Sequence, residues 1–152
     1  MTLLVLDKFA LLVDYSRSVD EGRVAGNYGF DLETVTDKAF PCCSDRKGIQ
    51  RIFFQVVQPD AEATAYDVID AMETQMNAEP AIAKELLAVG EKYKHFHMLL
   101  ALGSVGLLSN RIRVPALLQR DSVHGIGLWE FMEKFKPGDP HKYLAARVAM
   151  AT

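Results

Sequence analysis

Arg111 and Arg113 stand two residues apart in a stretch that reads as a strand, which places both guanidinium groups on one face. A fork of this kind suits a carboxylate or a phosphate. The competing reading is an edge strand whose charges, with Arg120 nearby, block aggregation. His124 and His141 add titratable groups, and Trp129 follows a Gly-Ile-Gly-Leu run where an indole could wall a pocket. Arg111, Arg113, His124, Trp129 and His141 are therefore the candidate ligand-binding residues, expected in a pocket between helices and sheet.

The other reactive types form no complete constellation. His95 and His97 would share a face only on a strand, and no third ligand accompanies them, so no metal site is expected. Asp67, Asp70 and Glu73 recur at helical spacing opposite an apolar stripe, which reads as a solvated acidic face. Cys42 and Cys43 are adjacent, a poor geometry for a disulfide. Nearby Arg46 and Lys47 could lower a thiol pKa, but no local histidine would serve as base. Gly125-Ile126-Gly127 lacks the third glycine of a dinucleotide fingerprint, and Leu102 replaces the first glycine of a nucleophile elbow around Ser104. No catalytic residue and no cofactor is expected.

Composition narrows the setting. With 152 residues, 49% hydrophobic and 24% charged, the chain fits one globular domain over residues 1–152. A formal net charge of −3 argues against nucleic-acid binding, which needs a basic surface. No apolar run approaches the ~20 residues that cross a bilayer, and no secretory signal is evident, so a cytoplasmic protein without a membrane partner is expected.

The elements that would position these residues follow from periodicity. Val5, Phe9, Leu12 and Val19 recur at helical spacing, predicting a helix over Leu3–Arg23, with a hairpin at Asp7-Lys8 as the alternative. Ile49–Gln58 is apolar on both faces and predicts a strand covered on both sides or by a partner subunit. Asp60 is expected to cap a helix over Glu62–Asn77. A second helix is expected to open at Pro80, run towards Phe96 and pack beside the first. Strands are then predicted over Leu99–Val105, Ile112–Leu118, Gly125–Phe131 and Tyr143–Met150, the first of which could instead prolong the helix. Turns fall at Ser109-Asn110, Arg120–Ser122 and Pro137–Pro140. Strands joined by short turns make this an α+β fold, with helices packed on a mainly antiparallel sheet.

Several phrases occur in a distinctive order: Asp14-Tyr15-Ser16-Arg17-Ser18, Glu85-Leu86-Leu87-Ala88-Val89-Gly90-Glu91-Lys92-Tyr93, Ala101-Leu102-Gly103-Ser104-Val105, Val114-Pro115-Ala116-Leu117 and Tyr143-Leu144-Ala145-Ala146-Arg147-Val148. Together they resemble a group of small bacterial proteins found as accessory genes, for which no activity is established. Lys94 departs from that group's pattern, which has proline after the tyrosine. The resemblance implies an α+β fold and a bacterial, cytoplasmic setting, and no catalytic residues.

Two functions compete at this point. One is a non-enzymatic interaction or binding module, expected as a homo-oligomer because Ile49–Gln58 is apolar on both faces. The other is a small enzyme or small-ligand-binding protein built on the five candidate residues, which requires their side chains to converge.

Overall fold

The computed structural model describes residues 1–31, 35–41 and 45–148. Among these, nine strands form one sheet that carries three helices, as an α+β fold requires. In chain order the elements are β1 (Leu3–Asp14), α1 (Val19–Ala25), β2 (Phe30–Asp31), β3 (Ile49–Pro59), α2 (Ala65–Met76), β4 (Glu79–Pro80), α3 (Ala83–Lys92), β5 (Leu99–Leu100), β6 (Gly106–Leu108), β7 (Arg111–Arg120), β8 (Val123–Glu130) and β9 (Lys142–Val148). The sheet order is β1-β3-β9-β5-β7-β8-β2, with β4 pairing β9 and β6 pairing β7. Every pairing is antiparallel except β5 with β9 and β2 with β8.

The helix expected over Leu3–Arg23 is wrong in its first half. Residues 3–14 form β1, and only from Ser18 does a helix begin. Phe9, Leu11 and Val13 alternate towards the core, whereas Leu12, which a helix would have buried, is 70% exposed. Ser18 and Glu21 bond reciprocally as a capping box, so the helical start lies where that signature lies.

The strand predicted over Ile49–Gln58 is present as β3 and lies inside the sheet, between β1 and β9. Ile52, Phe54 and Val56 enter a first core with Leu144, Leu99, Leu117 and Ile126, beneath α1 and α3. Val57 enters a second core on the opposite face, with Tyr143, Ala145, Leu100, Val114 and Ala116 beneath α2. Each fully buried aliphatic side chain here stabilises the fold by about 1.5–3 kcal/mol over its exposed state. The second face of β3 is open at its start, where Ile49 is 66% and Phe53 38% exposed.

The helix expected from Glu62 starts at Ala65, because Thr64 and Asp67 form its capping box. Asp60 is not its cap and instead accepts from the Thr2 amide at 2.8 Å. Left-handed Asn77 closes the helix, with φ of 49°. The helix expected from Pro80 begins at Ala83, since Pro80 pairs with Ala145 in β4. That helix ends at Lys92, which frees Tyr93 and Phe96 to pack against Phe9 of β1. α2 and α3 are not neighbours: β4 carries the chain past β9, so the two helices lie on opposite faces.

Only Leu99–Leu100 of the strand predicted over Leu99–Val105 is extended into the sheet. Gly103 then packs so closely on the Pro80 and Ala81 carbonyls that a Cβ would lie 2.5 and 2.8 Å from their oxygens. The last three strands are as expected to within a few residues, and residues 149–150 of the final one lie outside the described residues. Ser109-Asn110 and Asp121-Ser122 turn their hairpins with positive φ at both positions, the backbone hand that matches strand twist.

Candidate interaction site

The candidate ligand residues fall in three places. Arg111 and Arg113 reach Glu130 at 2.9 and 3.2 Å on the first face, where β7 and β8 begin and end. Trp129 and His141 meet on the second face with ring centroids 5.4 Å apart, and His141 Nε2 lies 3.1 Å from the Tyr143 hydroxyl. Burial holds the His141 imidazole below its ordinary pKa. His124 sits on the first face at the other end of β8, 5.2 Å from the Tyr28 ring, where burial and then Lys94 lower its pKa. These side chains do not converge.

Asp67 belongs to the α2 cap, while Asp70 and Glu73 are exposed as a solvated face should be. His95 and His97 are exposed, and no group of three or more potential metal ligands occurs among the described residues. Cys42 and Cys43 lie outside the described residues. Among the described residues no helix is long and apolar enough to cross a membrane.

A different site emerges at the margin of the sheet. β1 is an outer strand of 12 residues, paired among the described residues with β3 alone. The Tyr15 amide donates to Gly48, in the register that pairs Val13 with Gln50 and Leu11 with Ile52. Odd-numbered residues from Phe9 to Val13 therefore turn their peptide groups towards β3, and Ala10, Leu12 and Asp14 turn theirs outward. A bulge between Val5 and Asp7 reverses this order. Accordingly the Leu3 amide points out and is taken by the Gln75 side chain at 2.9 Å. The Lys8 amide is taken by Asp7 Oδ1 at 2.8 Å. Beyond these two blocked positions the edge at Ala10 and Leu12 carries no such cover from the described residues.

That open stretch forms one wall of a groove of about 650 Å³. Its other wall comes from Arg17 just ahead of α1, Gly22 of α1, and Lys84, Ala88, Glu91 and Lys92 of α3. Gly22 lets the helices approach, since a Cβ there would lie 3.3 Å from Leu87 Cδ1. Arg17 bridges to Glu91 at 2.7 Å across the groove's helical side.

The wall is held by a buried carboxylate that sequence reasoning passed over. Glu85 is 0% exposed, and its Oε1 accepts from the Ile82 amide at 2.9 Å to cap α3. Its Oε2 accepts from the Tyr15 hydroxyl and from Arg46 at 3.1 Å. Arg46 also pairs with Glu79 at 3.0 Å. Burial raises the Glu85 pKa, against the pull of Tyr15, the Ile82 amide and Arg46. Burial, and then the Glu85 charge, raises the Tyr15 pKa. Ser104 completes the cap by accepting from the Ala83 amide at 2.7 Å. The available signal was the set of phrases containing Tyr15, Glu85 and Ser104, which the fold gathers around the start of α3.

No protein-family model matches this chain, no curated protein matches it in sequence, and no solved structure matches it. Its functional reading rests on its own geometry.

Proposed function

We propose that this protein is a non-enzymatic interaction module, working in a bacterial cytoplasm, that receives an extended polypeptide segment along the outer edge of β1. The carrying observation is the outward-facing peptide groups of Ala10 and Leu12 beside a groove. Strand addition draws affinity from main-chain hydrogen bonds and specificity from pockets for alternate side chains. An edge supplies the first, and the groove between β1 and α3 supplies the second. Leu4, Val5, Leu6 and Leu12 are 47–70% exposed, far more apolar than an outer strand protected against association. The alternative, a small enzyme or ligand pocket formed by Arg111, Arg113, His124, Trp129 and His141, has no convergence of side chains behind it.

The test is selection of random ten-residue displayed peptides on the immobilised full chain, followed by amide hydrogen exchange with the selected peptides. Slowed exchange at Ala10 and Leu12, and loss of binding in Leu12→Pro, is the expected result. Selected peptides that leave those amides unprotected, or that bind Leu12→Pro as well as wild type, would overturn the proposal.

A further inference from the structure

The segment that fits this edge is β1 itself. Building on strand addition as the mode of binding, we infer that two copies pair antiparallel through β1, about a twofold axis at Leu11, with Lys8 of each opposite Asp14 of the other.

The register follows from the residues. A twofold axis perpendicular to the sheet keeps each side chain on its own face, so residues of like parity must meet, and outward peptide groups must meet outward ones. From Lys8 to Asp14 the outward set is Lys8, Ala10, Leu12 and Asp14, all on the second face with Phe53 and Arg51 of β3. Centring on Leu11 pairs Lys8 with Asp14, Ala10 with Leu12, and the converse. Both charges find opposite partners, and the two apolar residues fill the middle. Moving the axis to Ala10 sets Lys8 against Leu12. Moving it to Leu12 sets Asp14 against Ala10. Charge complementarity therefore selects one register of the three.

The surroundings agree with that choice. Leu12 is 70% exposed, and in this pairing it lies beside Ala10 of the other copy, in the row that ends on Phe53. The Ala10 and Leu12 peptide groups, which have no hydrogen-bond partner on their outer side among the described residues, would each exchange bonds with the other copy. Asp14 keeps its charge for the pair, because its carboxylate already accepts from the Ser16 amide at 3.0 Å. On the first face, Leu11 of each copy meets the other at the axis, and the groove under Ala88 gives that side chain room. The bulge at Val5–Asp7 and the occupied Leu3 amide end the ladder on one side.

Sedimentation velocity on the full chain tests the inference through reversal of charge. The wild type is expected to be a dimer at about 100 μM, well above the dissociation constant of a specific interface. Lys8→Asp or Asp14→Lys should each weaken association by about tenfold or more, because like charges then oppose across the strands. The double variant Lys8→Asp/Asp14→Lys should recover to within about threefold of wild type. Far-UV circular dichroism separates misfolding from dissociation, and Ala10 and Leu12 amide exchange, slowing as concentration rises, reports the edge without any variant. A monomer at every concentration, or a double variant no tighter than the singles, overturns self-pairing. A monomer whose Ala10 and Leu12 amides are protected by a selected peptide would overturn self-pairing and leave strand addition standing.

Discussion

The hydroxyl of Tyr15 donates to the carboxylate of Glu85 in the interior, tying the end of β1 to the first turn of α3. The same carboxylate holds Arg46 from the chain leading into β3, so one buried group ties together three segments, two of which carry the walls of the groove.

Tyr15→Phe removes one donor and leaves the carboxylate buried, which should cost about 1–3 kcal/mol in urea unfolding. Glu85→Ala removes at once the acceptor shared by the Tyr15 hydroxyl, Arg46 and the Ile82 amide, and should cost more, about 3–5 kcal/mol. Equal losses for the two variants would mean that Glu85 does not organise the cluster.

The pH dependence carries a definite sign. Burial raises the folded-state pKa of Glu85 above its ordinary value of 4.5. Its contribution to stability is therefore complete below that value and is lost as pH rises through the raised one. Relative to wild type, Glu85→Gln should gain stability as pH rises above 4.5 and level off once the folded carboxyl has ionised. Chemical denaturation at a series of pH values measures this, and a variant that loses ground as pH rises would refute it.

Proline scanning tests the direction of the peptide groups on β1. Leu11→Pro removes an amide that faces β3 and leaves a ladder acceptor unpaired, a loss of about 1–3 kcal/mol before any strain, whereas Leu12→Pro removes one that faces outward and should cost far less. If thermal melting ranks them the other way round, the edge assigned here is wrong.

The start of α3 offers two separable effects. Ser104→Ala should cost about 1–2 kcal/mol through the lost cap at the Ala83 amide. Gly103→Ala should cost more, about 2–3 kcal/mol, since its new methyl would meet backbone oxygens rather than a side chain that can turn away. Differential scanning calorimetry distinguishes them by their order.

Much of this was legible in the residues. Ile49–Gln58 announced β3 through apolar content on both faces, and the Asn and Ser residues at the later turns marked hairpins. β1 was misread because Val5, Phe9, Leu12 and Val19 fit a helical spacing by coincidence, while Phe9, Leu11 and Val13 carry the true period of two. The position of Pro80 misled for another reason: proline suits a first helical turn equally well as a short strand whose amide is not needed. Glu85 could not be recognised as buried, because its partners Tyr15 and Arg46 are 70 and 39 residues away in sequence. The edge of β1 was invisible for the same cause, since only the sheet order reveals which strand is outermost.

The position of β9 has a consequence for how the chain is made. It is the last strand in the described sequence, yet it lies between β3 and β5, joining the β1–β3 hairpin to the β5–β7–β8 portion. The β1–β3 pair and the β5–β7–β8 portion therefore stay unjoined in the sheet until residues 142–148 lie between them, and both cores draw on strands from the two sides. Non-local closure of this kind is slow and leaves apolar surface waiting. Completing this sheet thus waits on β9, the one segment that can join the strands on either side of it.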